Sequence, residues 1–330
     1  MNKFEEILSP QTKEKEKRKP YKILFTIKVL VSALLIYWIL RGINFNEIAK
    51  SIENIDFLLL FTALSLHFIG FFLSAERWKL LLKAQGTEAK TSYLISSYLV
   101  SKFFNNLLPS TIGGDAIRAY DSYRIGKSKS EALAVIFVDR FLGLFMLLIF
   151  ALIAFFILQE AASGGTHLIL WIMAGLLLFL LIGWLIFSPP KKLRAFANNI
   201  SIPFSSKLQM IVEKMSGAFW TFRDKKEVLL KALGLSLLLQ TNVIIYYFVV
   251  SSALNLSVPL YNFFLIIPLS LFIMMLPVTI NGIGLRENIF YYFFSTFDIT
   301  RAEAIAFAWI EYGVIIILGV LGGIVYALRK

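Results

Sequence analysis

The chain has 330 residues, of which 58% are hydrophobic and only 16% are charged, and its formal net charge is +12. A soluble domain is about half apolar and about a quarter charged, so this composition indicates an integral membrane protein. The positive charge is typical of cytoplasmic loops beside anionic lipid, and we expect no nucleic-acid partner. Because the chain has no cysteine and only two histidines, far apart, we expect neither a metal site nor a cofactor.

Taken from its N-terminus, the sequence predicts an all-α, polytopic helical membrane protein. Residues 1–22 are polar and are expected to form a disordered cytoplasmic tail before a single membrane domain at 23–328. Apolar runs of about 20 residues are long enough to cross a hydrocarbon core ~30 Å thick. They predict about six full spans, at residues 23–40, 57–83, 131–158, 167–187, 228–253 and 303–328.

Three further features along the chain complete this prediction. The second span ends in Glu76-Arg-Trp-Lys79, which we interpret as an interfacial anchor. Residues 188–227 are basic, with apolar residues at helical spacing, and are expected to form a cytoplasmic amphipathic linker. The abundant phenylalanines are attributed to surfaces that face lipid.

Two segments of the chain share one motif. Leu108-Pro-Ser-Thr-Ile-Gly-Gly-Asp-Ala-Ile-Arg118 aligns without a gap with Leu276-Pro-Val-Thr-Ile-Asn-Gly-Ile-Gly-Leu-Arg286. After a four-residue insertion the match continues, with Glu131–Asp139 aligned to Glu303–Glu311. Pro and Gly interrupt helices, and irregular backbone at membrane depth survives only inside protein or beside a wet cavity. The duplication therefore predicts two re-entrant broken-helix hairpins, with two ordinary interfacial loops as the alternative.

The distribution of Lys and Arg gives the two copies opposite orientations. Repeat A, about 57–158, is predicted to begin outside, and its hairpin to enter from the cytoplasm. Repeat B, about 228–328, is predicted to begin inside, and its hairpin to enter from outside. This inverted repeat is the architecture of many alternating-access transporters, whose binding sites lie at matched helix breaks. An alternative for 261–297 is a pair of short full spans.

The broken-helix positions are the candidate gates of such a transporter. They are Pro109, Thr111, Gly113, Gly114, Pro277, Thr279, Asn281, Gly282 and Gly284. Just past each break, Arg118 and Arg286 hold equivalent places, and arginine suits bidentate contact with phosphate or carboxylate. A half-helix starting near Asp115 would add the partial charge of its free amides. The alternatives are an interfacial anchor for Arg118 and neutralisation of Arg286 by Glu287.

Asp115 and Glu287, close to these arginines in the sequence, are also candidate substrate-binding residues, and the remaining candidates are charged or polar groups at membrane depth. Asp139 and Glu311 each lie eight residues into a span, or ~12 Å at helical rise, where charges are costly and usually functional. Asp139 has a structural alternative, pairing with Arg140 or Arg118, and Glu311 could relay protons or pair with Arg286. Lys102 and Asn106 lie four residues apart on one helix face, although a snorkelling lysine is the simpler alternative.

These residues resemble a known family. Asn106-Leu-Leu-Pro-Ser-Thr-Ile-Gly-Gly-Asp-Ala-Ile-Arg118, Val138-Asp-Arg140 and the second motif through Glu287 are similar to the flippase-like family of lysylphosphatidylglycerol synthase transmembrane regions. The resemblance covers about 23–328. In that family the best-known member joins this region to a soluble aminoacyl-transferase domain, and the membrane region is implicated in moving the modified lipid between leaflets. Without the soluble domain, the resemblance implies lipid handling and not lysyl transfer.

We therefore expect a flippase-like protein of the cell membrane, not an enzyme, with both termini cytoplasmic. It would bind or translocate a polar, anionic lipid or lipid-linked precursor, with membrane lipids and a lipid-modifying enzyme as its partners. One alternative is a membrane-embedded transferase that uses a lipid donor, with Asp115, Asp121 or Asp139 as the base. The other is a non-catalytic partner of a separate lipid-modifying enzyme.

Overall fold

The computed structural model describes most of the second half of the chain and much of the first. The described residues are 26, 30, 34, 37, 45–107, 113–126, 128–158, 173–181, 217–275, 278–279 and 281–329. These residues contain helices and no β-strand, as the sequence predicted. The predicted tail at 1–22, most of the spans at 23–40 and 167–187, and residues 188–216 of the linker lie outside the described residues.

Nine helices are delimited within this part of the chain. They are α1 (Phe45–Glu53), α2 (Phe57–Ala84), α3 (Thr91–Leu107), α4 (Gly113–Ile125), α5 (Lys129–Ile157), α6 (Lys226–Ala253), α7 (Leu260–Met274), α8 (Leu285–Phe294) and α9 (Arg301–Leu328). Four of them, α2, α5, α6 and α9, are long and apolar enough to cross a membrane. Both halves therefore have the same order of one long helix, two short helices and one long helix.

Polar residues begin three of the long helices. The Asp56 carboxylate accepts hydrogen bonds from the first backbone amides of α2, and the Ser128 hydroxyl caps α5 in the same way. Thr300 and Glu303 form a reciprocal capping box at the start of α9. Such caps satisfy amides that have no partner within the helix, so the apolar runs begin as helices at these residues.

The first long helix of each half runs antiparallel to that of the other half. At one end the Asp56 amide donates to the Ala253 carbonyl over 2.9 Å, and at the other the Lys225 ammonium donates to the Ala84 carbonyl. We call the end at Ala84 the basic end of the bundle and the end at Ala253 the far end. The helix order of the first half is therefore repeated upside down in the second.

Helices α3 and α4 form hairpin A, which enters the bundle from the basic end. The Thr91 hydroxyl at the start of α3 donates to Glu76 near the end of α2. Toward the end of α4, the Ser122 hydroxyl accepts from the Trp78 indole over 3.2 Å, again near the end of α2. Hairpin A thus leaves at the end where it entered, and its turn at 108–112 lies outside the described residues.

Helices α7 and α8 form hairpin B, which enters from the far end. Phe263 near the start of α7 packs on Phe248 of α6 and on Phe294 at the end of α8. With 15 and 10 residues, α7 and α8 extend for only ~22 and ~15 Å, short of a ~30 Å hydrocarbon core. This geometry favours a re-entrant hairpin at 261–297 over two short spans.

The two hairpins meet inside the bundle. The Asn281 side chain in the turn of hairpin B donates to the Asn106 carbonyl in hairpin A, over 3.3 Å. Each hairpin also packs along the last helix of the other half, α3 on α9 and α7 on α5. The glycine face of α9 permits this, because Gly322 lies directly against the Leu99 carbonyl of α3.

Polar and aromatic contacts close the two ends of the bundle. At the basic end, Arg329 pairs with Asp121 of hairpin A over 2.8 Å and lies over the Tyr93 ring. In the half of the bundle toward the far end, phenylalanines form a core that excludes solvent. Its fully buried rings are Phe263, Phe290, Phe294 and Phe307. For these four rings, the attribution to lipid-facing surfaces was wrong, because they pack edge-to-face on one another.

Candidate functional site: a basic cavity where the hairpins meet

A cavity of about 430 Å³ lies where the two hairpins approach each other. Its walls come from the four long helices and from both hairpins. The charged residues that line it are Arg77, Lys102, Asp115, Arg118, Asp139, Arg140, Arg286 and Glu311. Sequence analysis selected six of these eight as substrate-binding residues, and the fold brings those six into one space.

Asp139 is the centre of the charge cluster next to hairpin A. Its side chain is 1% exposed, and its carboxylate contacts the Arg77 guanidinium at 2.6 Å and the Arg118 guanidinium at 2.7 Å. The Tyr98 hydroxyl donates to the same carboxylate over 3.3 Å. The Arg118 guanidinium also lies 4.6 Å from the centre of the Trp78 ring and 4.1 Å from that of Tyr98. These contacts fix Arg118 in position.

Asp115 links this cluster to Arg140, another residue that lines the cavity. It contacts Arg140 at 2.8 Å and Arg118 at 3.4 Å. Of the two partners considered for Asp139, the structure therefore shows Arg118, while Arg140 pairs with Asp115. Helix α4 packs along α5, and this packing places Arg118 next to Asp139.

An equivalent pair lies next to hairpin B. Arg286 contacts Glu311 at 2.7 Å, and the Tyr247 hydroxyl donates to Glu311 over 3.0 Å. Arg286 and Glu311 align in sequence with Arg118 and Asp139, so both halves contain the same ion pair. Glu287 does not line the cavity, because its carboxylate accepts from the Gly284 amide and caps α8.

Lys102 is the exception among the charged lining residues. It extends from α3 into the cavity, and no ion-pair or hydrogen-bond partner is found for it within the described ranges. Asn106, expected on the same face, instead donates to the Ile315 carbonyl of α9 over 3.1 Å. Its neighbour Asn105 lines the cavity and accepts from the Gly114 amide over 2.6 Å. Of Lys102 and Asn106, which were predicted to share one helix face, only Lys102 therefore lines the cavity.

The candidate gate residues lie in or beside the two turns. Pro109, Thr111 and Pro277 are outside the described residues. Gly113 and Gly114 are buried at the start of α4, and Thr279 is buried in the turn of hairpin B. In that turn φ is +52° at Asn281, +76° at Gly282 and +81° at Gly284. Of this set, Asn281 and Gly282 line the cavity.

Sequence analysis missed Arg77 and the polar residues of the first long helices. Arg77 was interpreted as part of an interfacial anchor, but α2 continues for seven residues beyond it, and Trp78 is fully buried. The unbroken helical pattern through Ala84 was the available signal. His67 and Tyr246 also line the cavity, and their Nε2 and hydroxyl atoms are buried without a hydrogen-bond partner among the residues that the structure describes.

The cavity has an excess of positive charge. Its lining contains five basic and three acidic side chains, which leaves two positive charges without a compensating carboxylate. No cluster of three or more His, Asp or Glu side chains suited to a metal occurs in the described part of the chain. The chemistry available in the cavity is therefore the binding of an anion by guanidinium and ammonium groups.

Comparison with known proteins places the chain in a membrane-protein family. The family described as "Lysylphosphatidylglycerol synthase TM region" matches residues 25–323. The UPF0104 membrane protein PH1989 of Pyrococcus horikoshii is 23% identical over 308 residues, covering 88% of this chain and 91% of that protein. The UPF0104 membrane protein MJ1595 of Methanocaldococcus jannaschii is 24% identical over 294 residues, covering 85% and 87%. This chain is a multi-pass membrane protein of the lysylphosphatidylglycerol synthase transmembrane-region family.

Proposed function

We propose that this protein binds the anionic headgroup of a membrane lipid in the central cavity and moves the lipid between leaflets. The single observation that carries the proposal is the uncompensated Lys102 in a cavity with two excess positive charges. A charge inside a membrane bundle without a partner is costly, and an anionic ligand would remove that cost. The family match supports a role in lipid handling.

The arrangement of the hairpins supports movement as well as binding. Hairpin A enters from the basic end and hairpin B from the far end, and both contribute a basic side chain to the same cavity. A headgroup held between them would be reached from either side by displacing one hairpin at a time. We propose that the basic end is cytoplasmic and that the protein resides in the cell membrane, because Lys and Arg are enriched in cytoplasmic loops.

The transferase alternative has less support from the geometry. Asp115, Asp121 and Asp139, its candidate bases, each form an ion pair with at least one arginine. These ion pairs engage the carboxylate oxygens that a general base would need to present to a substrate. We therefore propose a transporter and not an enzyme. A separate lipid-modifying enzyme as a partner would act outside this cavity.

Lipid exchange in vesicles tests the proposal. Purified protein is reconstituted into phosphatidylcholine vesicles that contain a trace of acyl-labelled phosphatidic acid or acyl-labelled phosphatidylcholine. We expect the protein to accelerate exchange of phosphatidic acid between leaflets, and Lys102→Gln to slow that exchange about tenfold, a barrier increase of ~1.4 kcal/mol. Lys231→Gln is the matched control, because Lys231 is exposed on α6 outside the cavity.

Two results would contradict the proposal. Exchange no faster than in protein-free vesicles would exclude movement by this chain alone and favour the partner alternative. Equal acceleration of both labelled lipids, with no effect of Lys102→Gln, would show that the protein perturbs the bilayer without recognising a headgroup.

A further inference from the structure

We infer that the headgroup held in the cavity is a phosphate monoester with two negative charges, and not a singly charged phosphodiester. This inference rests on the proposed function and names the substrate class of the same site. It concerns the phosphate end of the lipid, which the charged residues of the cavity contact.

The charge of the cavity is the first argument. Its five basic and three acidic lining residues leave an excess of two positive charges. A phosphodiester carries one negative charge, whereas a phosphate monoester carries about 1.5 to 2 at neutral pH. A monoester would therefore neutralise the cavity, while a diester would leave it positive. A headgroup esterified with a cationic amino acid would add positive charge and be repelled.

The ion pairs show where the excess charge lies. Glu311 is neutralised by Arg286, and Asp115 by Arg140. Asp139 is contacted by two guanidinium groups but carries one negative charge, so one positive charge remains beside it. Lys102 supplies the other. Both excess charges are thus on the hairpin A side of the cavity, close enough to line the same space.

Unused hydrogen-bond donors are the second argument. The Nε atoms of Arg118 and Arg286 are buried and have no acceptor in the described structure. Buried donors without acceptors are uncommon and cost free energy. The Lys102 ammonium adds a third cation with donors to spare. A phosphate monoester offers three non-bridging oxygens, one more than a diester, and so can accept from donors on both hairpins.

The experiment compares two lipids that differ by one methyl group on the phosphate. Acyl-labelled dioleoyl phosphatidic acid is a monoester, and dioleoyl phosphatidylmethanol with the same label is the corresponding diester. Each is present in trace amount in phosphatidylcholine vesicles containing the purified full-length chain, and protein-free rates are subtracted. We expect phosphatidic acid to exchange about tenfold faster than phosphatidylmethanol, the ratio that ~1.4 kcal/mol produces.

Substitution at Lys102 separates charge recognition from the size of the headgroup. Lys102→Gln removes one of the two excess charges, and we expect it to reduce the preference for phosphatidic acid to about twofold or less, in line with the loss of one charge pair. Lys231→Gln keeps the parent preference, because its side chain lies outside the cavity. Excess inorganic phosphate should inhibit less than unlabelled phosphatidic acid, since it lacks the lipid chains.

The outcomes distinguish this inference from the proposed function. Equal exchange of the two lipids, both faster than without protein, would overturn the monoester assignment and leave lipid movement intact. Exchange of neither lipid would overturn the proposed function itself. Inhibition by inorganic phosphate as strong as that by phosphatidic acid would overturn the assignment to a lipid, since the cavity would then recognise a free anion.

Discussion

At the scale of single residues, the cavity depends on carboxylates that hold arginines in place. Asp139 contacts two guanidinium groups, whereas Glu311 contacts one and accepts a hydrogen bond from Tyr247. Removing one partner of a buried ion pair leaves an uncompensated charge and costs about 3–5 kcal/mol. The two carboxylates are therefore equivalent in position but unequal in the charge that depends on them.

We predict that Asp139→Asn destabilises the protein more than Glu311→Gln does. The first change removes the carboxylate that Arg77 and Arg118 share, leaving Arg118 only its 3.4 Å contact with Asp115, and the second removes the carboxylate that Arg286 contacts. Thermal unfolding in detergent should show a larger fall in the midpoint temperature for Asp139→Asn. We expect this variant to lose about 3–5 kcal/mol in the free energy of unfolding. Asp224→Asn, at an exposed position, is the control. Equal midpoints for Asp139→Asn and Asp224→Asn would contradict this account of the cluster.

Sequence reasoning identified these residues better than it identified their contacts. Matched positions in the duplication were enough to select Arg118, Arg286, Asp139 and Glu311, since charges deep in apolar spans stand out. Arg77 was not selected, because it occurs in a cluster of polar residues that resembles a span end. Only the packing of α2 against α5 and α6 shows that Arg77 points inward, toward Asp139 and Ser236.

At the scale of elements, the aligned glycines of the two hairpins have different structural roles. A Cβ atom on Gly114 would lie 2.6 Å from the Ser101 carbonyl, so this glycine allows α3 and α4 to approach closely. A Cβ atom on Gly282 would make only ordinary van der Waals contacts, at 3.8 Å or more, but the φ of +76° disfavours any residue with a Cβ atom. One glycine permits a contact, and the other permits a backbone conformation.

We predict that Gly114→Val and Gly282→Val both slow lipid exchange, while the long helices remain folded. The first change separates the arms of hairpin A, and the second strains the turn of hairpin B by about 1–2 kcal/mol. Exchange of labelled phosphatidic acid is measured at equal protein density, and helicity by circular dichroism. Gly234→Val should exchange lipid like the parent, because a Cβ atom on this helical glycine would meet no described residue within 4 Å beyond its own helix. Parent-like rates in both hairpin variants would show that the turns are not gates.

The positions of the hairpins could be predicted, but their packing partners could not. Proline and glycine at matched sites mark where a helix must break, whatever surrounds it. Which helix then receives the hairpin depends on where an apolar surface is flat enough. Gly319 and Gly322 make such a surface on α9 for α3. Apolar periodicity in a membrane span carries little of this information, because both the lipid-facing and the buried sides are apolar.

At the scale of the whole molecule, opposite orientations of the two halves predict where exposed loops face. Glu88, between α2 and α3, lies at the basic end, and Asp298, before α9, lies at the far end. The chain has no cysteine, so Glu88→Cys and Asp298→Cys each introduce a single thiol. In intact cells we expect an impermeant maleimide to label Asp298→Cys and to label Glu88→Cys only after lysis. Labelling of both from the same side would contradict the inverted arrangement.

The exchange of hairpins between halves bears on the origin of the molecule. The hairpin of each half packs against the last long helix of the other half, α3 on α9 and α7 on α5. A lone half would leave its hairpin exposed to lipid, with backbone carbonyls such as that of Leu99 uncovered by a neighbouring glycine. It would be complete only beside a second copy inserted the other way up. The duplicated motif and this mutual packing are what the fusion of a dual-topology homodimer would produce.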